Sequence, residues 1–202
     1  MSAPLLWIGI PLLVAALSLF IPNERFNAGL GGLTALGLSA VALFIPIDSA
    51  LLIGPISLKI SASLQIFGRS LTLTTADGSL LAILYGIAAL WFFGSEAAGV
   101  ARRLVPYGLG IIALLVASIA VEPFLYAAIF IEMAALLGIP LLTPAGQTPG
   151  RGALRFLVHQ TLAMPFILFA GWMLAGVESS PGDFALTLQA ATMLGLGFAF
   201  LL

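Results

Sequence analysis

The sequence predicts an all-α polytopic membrane protein. Of its 202 residues 61% are hydrophobic and only 7% are charged, and the apolar residues gather into seven helix-length runs. A soluble domain carries about 25% charged residues, and seven Lys/Arg with eight Asp/Glu cannot cover a water-facing surface of this length. Lipid-facing surface needs none. Each run must satisfy its backbone groups within itself when surrounded by hydrocarbon, and a helix does so. The runs do not show the ~10-residue alternating segments of a membrane β-barrel.

Six runs read as complete spans: Pro4–Ile21, Ala28–Ile47, Gly78–Gly94, Leu104–Val121, Phe124–Leu142 and Leu154–Gly176. A partial or terminal seventh begins near Phe184 and is still apolar at Leu202. The first run has neither a basic leader nor a clear cleavage site, so it reads as a retained span rather than a removed signal. Pro4 and Pro11 are compatible with a span because neighbouring helices can satisfy a freed carbonyl.

The loops after spans one, three and five hold Arg25, Arg102, Arg103 and Arg151, with Arg155 just beyond. The opposite side holds Lys59 and Arg69, both in one long loop. Short basic loops stay cytoplasmic, which puts the N-terminus outside and the chain in the cell inner (plasma) membrane. Trp7, Trp91 and Trp172 lie toward span ends, where aromatic interface belts form.

The outer stretch between spans two and three partly alternates apolar and polar residues, at Ile56, Leu58, Ile60, Leu71 and Leu73. Interrupted by Gly68, it predicts a short β-hairpin resting on membrane segments or on a partner, since a lone hairpin is marginal. Asp77 reads as an N-cap for span three. The TPAGQTPG stretch at Thr143–Gly150 reads as the break between spans five and six. Residues 1–202 form a single membrane domain.

Glu132 stands near the middle of the fifth run, FLYAAIFIEMAALLGIPLL. A carboxylate at that depth is costly unless paired, wet or protonated, and marks a functional site by default. Burial raises its pKa and a nearby cation lowers it, so such a group can take up and release protons near neutral pH. The other reading is a static polar contact between two spans. His159 and Arg155 are four apart in RFLVHQTL, on one helical face, with Gln160 and Thr161 beside them. His159 suits a proton relay or a packed, hydrogen-bonded role. Arg155 suits a cytoplasmic access point or an anchor. Glu122, immediately before Pro123, suits a cap or surface anchor at the start of span five, or an exit group for protons.

The single His excludes bis-histidine haem, and the lack of cysteines removes iron–sulfur ligation. Neither GxGxxG nor GxxxxGK[ST] occurs. This chain is therefore expected to bind no cofactor or catalytic metal by itself and to be non-catalytic. Its formal net charge of -1 gives no footing for nucleic acid.

In VEPFLYAAIFIEMAALLGIPLL, with Glu122-Pro123-Phe124 followed by Phe130-Ile131-Glu132-Met133, the chain resembles the antiporter-like membrane subunits of respiratory complex I, NADH–quinone oxidoreductase. That family extends to subunits of membrane-bound hydrogenases and multisubunit cation/proton antiporters. ALRFLVHQTLAMPFILFAGWMLAG resembles its sixth helix, with Arg155-Phe156 as the basic-aromatic pair. The resemblance implies proton or sodium/proton translocation through buried Glu, Lys, His and water, with Glu132 as the fifth-helix glutamate. It also implies partner membrane subunits, with quinone and NADH used by neighbouring subunits. The family's helix-seven lysine is not matched: LGLGFAFLL places Leu201 there, and the chain's one lysine is Lys59. The sequence corresponds to roughly the first half of such a subunit. The resemblance leaves three accounts: a split product, a reduced accessory subunit, or a subunit using His159 or a partner residue in place of lysine.

Overall fold

The computed structural model describes residues 2–48, 50–53, 56–66, 68–143, 148, 150–179 and 183–201; the side chains of 50–53, 56–59 and 177–179 lie outside the description. Seven helices follow in order: α1 (Leu5–Ser18), α2 (Glu24–Phe44), α3 (Gly78–Ser95), α4 (Ala101–Ala120), α5 (Ala127–Leu142), α6 (Arg151–Ser179) and α7 (Phe184–Leu201). Six are long and apolar enough to cross a membrane, and the protein is an all-α polytopic membrane protein with a small sheet at one end of the bundle. The short helix is α1 rather than the terminal one. Its 14 residues rise about 21 Å, against a hydrocarbon core of ~30 Å. By contrast α7 runs 18 residues.

Three helices, α2, α4 and α6, start earlier than their apolar runs. The Asn23 side chain accepts from the backbone N–H groups of Arg25 (3.0 Å) and Phe26 (3.2 Å), so α2 begins at Glu24 rather than Ala28. Arg102, Arg103 and Arg151 lie on helix first turns that project past the apolar stretch, and Arg155 one turn further into α6. Asp77 is not a side-chain cap for α3. Its carboxylate accepts from the N–H (2.8 Å) and hydroxyl (2.9 Å) of Thr74, closing a capping box around the 3-10 turn Thr75–Asp77. In the predicted break before α6, residues 144–147 and 149 lie outside the described residues.

The stretch between α2 and α3 holds two strand pairs rather than one hairpin. Strand β1 (Ala50–Ile53) pairs antiparallel with β2 (Ile56–Lys59). Strand β3 (Ser63–Ile66) pairs with β4 (Arg69–Thr72) across Gly68, whose φ of 73° belongs to the region glycine tolerates. β5 (Val121–Glu122) adds the third strand to β4. Ile60, Leu71 and Leu73 are buried, so the sheet rests on the helices, as a small sheet must. The N-terminal residues join this end too, with the Ala3 N–H donating to the Ser61 carbonyl at 2.8 Å.

These contacts separate two ends of the bundle. One carries Ser2, the sheet and the α4–α5 junction. The other carries the α1–α2 and α3–α4 turns, joined by Arg25 Nε to Glu96 Oε1 at 2.7 Å. The core runs through α1–α4, with α4 packed against α1, α2, α3 and α5. Small residues such as Ala35, Ala89, Ala113 and Ala117 are buried there, letting the helices approach closely where lipid gives no hydrophobic drive.

Candidate functional site

Polar side chains inside the first four helices hold the helices to one another. Pro11 has no N–H, so the Trp7 carbonyl four residues earlier loses its α-helical donor, and Leu5–Gly9 is wound as a π-turn. The Tyr85 hydroxyl of α3 donates to that carbonyl. The Trp7 indole N–H donates to the Leu38 carbonyl of α2 at 3.2 Å. Trp7 is 0% exposed, so it belongs to the core and not to an interface belt, whereas Trp91 and Trp172 face outward. Ser39 donates to the Ala82 carbonyl at 2.7 Å, and the buried Asn27 amide donates to the Ser18 carbonyl at 3.1 Å. Each of these donors has a backbone partner, while the buried Asn27 Oδ1 has none among the described residues.

Glu132 is different. It lies on α5, half-buried where that helix meets α6, and its Oε1 accepts from the Thr161 hydroxyl at 3.0 Å. Gln160, the neighbour of Thr161, is buried toward α7 and donates to the Leu201 carbonyl at 3.3 Å. The contact between α5 and α6 thus adjoins the contact between α6 and α7. Leu201 occupies the second of these.

His159 does not share the Glu132 contact. It stands two residues before Thr161, roughly 200° round the helix, and its side chain is exposed. Its Nδ1 lies 2.8 Å from the Arg155 carbonyl oxygen. A carbonyl can only accept, so Nδ1 is the donor in this contact. Arg155 meets His159 through its backbone, and its side chain is exposed. Glu122 is exposed in β5, where its Oε2 accepts from the Ser70 hydroxyl at 3.3 Å. It is a sheet residue at the surface and not a helix cap.

The structure therefore brings Glu132 and Thr161 together where α5 meets α6, turns Gln160 toward α7, and keeps His159, Arg155 and Glu122 apart from both contacts. Thr161 and Gln160 are legible only as polar letters beside His159, and nothing local says which faces α5. Among the described residues no group of three His, Cys, Asp or Glu could hold a metal ion. No family model matches the chain, and no curated protein or solved structure matches it either.

Proposed function

We propose that this chain is a proton-translocating membrane subunit of a redox-driven, NADH–quinone oxidoreductase-like complex, with Glu132 as its proton-carrying group. One observation carries the reading: a carboxylate midway along an apolar helix, held by a single described hydroxyl bond at a helix junction. An ionised carboxylate accepts from Thr161 with one oxygen and keeps further acceptor capacity for water or a second group. A protonated one has its own hydrogen to donate. The same contact is thus compatible with both states, which a relay requires. His159 stands on the exposed face of α6, off this contact, and in this reading would join a relay only through water or a partner subunit. The resemblance to antiporter-like subunits supplies the partners: further membrane subunits, with quinone and NADH handled by them. The N-terminus faces outward from an inner (plasma) membrane on the charge bias of the loops.

Glu132→Gln tests the role in the assembled complex. The amide still accepts from Thr161 but cannot release a proton. Assembly is expected to be kept, with fewer protons moved per electron. Unchanged pumping would leave a structural membrane subunit as the function, with Glu132 a packing contact. Sodium-dependent proton flux without quinone or NADH would assign the chain to a sodium/proton antiporter instead.

A further inference from the structure

Away from the Glu132 junction, an apolar groove of about 390 Å³ opens where the sheet meets the helices. Leu12 of α1, Ala117 of α4, and Ile129 and Phe130 of α5 line its length, and Ile66 of β3 closes the sheet side. Arg69 is the charged residue among its described lining, and because that lining is almost wholly apolar, Arg69 borders the groove with its carbon stem while the guanidinium stands at the mouth. The Arg69 guanidinium lies over the Tyr126 ring, 4.2 Å from its centroid. The ring attracts the cation, and among the described residues Arg69 has no carboxylate paired with it. Side chains alternate along β4, so Arg69 shares a face with the buried Leu71, while Ser70 turns the other way to meet Glu122. The Glu122 carboxylate therefore leaves the strand on the face opposite the groove, where it and Arg69 border a second, more polar cavity of about 520 Å³.

The place of the groove names its occupant. The N-terminal part of α1, the C-terminal end of α4 and the start of α5 all reach the sheet end of the bundle, so the groove begins at the level of headgroups and runs toward hydrocarbon. A cation at the headgroup level above a carbon-lined channel complements a molecule with an anionic head and an alkyl tail. We infer that the groove is a binding site for an anionic phospholipid, its phosphate on Arg69 and one acyl chain along Leu12, Ile129 and Phe130. The site is independent of any proton chemistry at Glu132.

The test uses the full chain in detergent, exchanged into phosphatidylglycerol or phosphatidylcholine of identical acyl chains, with retained lipid counted by native mass spectrometry. Phosphatidylglycerol is expected to be held about fivefold better, the effect of one basic side chain near a membrane surface. Arg69→Gln should remove that preference, and Ile129→Trp, which fills the groove but keeps the charge, should lower retention of both lipids. Arg102→Gln, at the other end of the bundle, should change neither. Equal retention of the two lipids by the unaltered chain, or a preference that survives Arg69→Gln, would overturn the proposal. Displacement of phosphatidylglycerol by glycerol phosphate alone would also overturn it, reducing the site to an anion contact in which the groove has no part.

Discussion

The first four helices and the last three use their residues in opposite ways. In the span Ala101–Ala120, 56% of the residues are buried inside the molecule, whereas Phe184–Leu201 buries 11%. The difference extends to polar chemistry. Trp7, Asn27, Ser39 and Tyr85 are matched to backbone groups of the same bundle. Glu132 and His159 sit on helices whose faces stay open, with one described bond each. The difference is one of burial: the scaffold groups bond across closed interfaces, whereas the Glu132 carboxylate meets a side-chain hydroxyl at an open face, which suits it to exchange. The comparison separates scaffold from site within one chain of similar hydropathy.

Breaking the scaffold should produce the largest effect. Trp7→Ala removes a fully buried indole and its bond to Leu38, and is expected to cost about 3–5 kcal/mol. Thermal unfolding of the purified chain in detergent would measure it. Gly171→Ala probes the other region. A Cβ there would come within 2.7 Å of the Leu125 Cα and 2.9 Å of its N, so backbone and not a pliable side chain must move. A loss of about 1–3 kcal/mol is expected on the same assay. Gly32→Ala should cost less, because its Cβ meets the Phe93 ring, which can turn.

Tyr85→Phe keeps the ring and deletes only the hydroxyl that serves the Trp7 carbonyl. Polar contacts of this kind between membrane helices are worth ~0.6–2 kcal/mol, and a drop in that range is expected. Glu132→Gln should leave stability within about 0.5 kcal/mol, since Thr161 keeps an acceptor and the site is half-open. If Glu132→Gln destabilised the chain as much as Tyr85→Phe, the contrast between scaffold and site would fail. Last, Arg25→Gln removes a solvent-exposed pair with Glu96 and should leave the unfolding midpoint unmoved.

Much of this arrangement is legible from the residues in order. Run lengths place α3, α5 and α7 closely, and Gly68 with the alternation at Leu71 and Leu73 marks the β3–β4 turn. The misses have physical causes. Apolar runs end where charge begins, but helices do not, because Arg102 and Arg151 can extend past the hydrocarbon while their backbone stays helical. Trp7 looks like a belt residue by position, yet Pro11 frees its carbonyl and Tyr85 comes from 78 residues away to meet it. A sheet built from Ser70 and Val121–Glu122 is likewise beyond local reading, since its strands lie on either side of two helices.

By itself the sequence determined the class of environment: too few charges for water, and runs long enough to bury every backbone bond within a helix. It determined that a carboxylate stands midway along α5. Tertiary structure alone decided what that carboxylate touches. Residues 159, 160 and 161 point in three directions round one helix turn, and only the packing of α6 between α5 and α7 selects Thr161 for Glu132, Gln160 for Leu201, and the open face for His159.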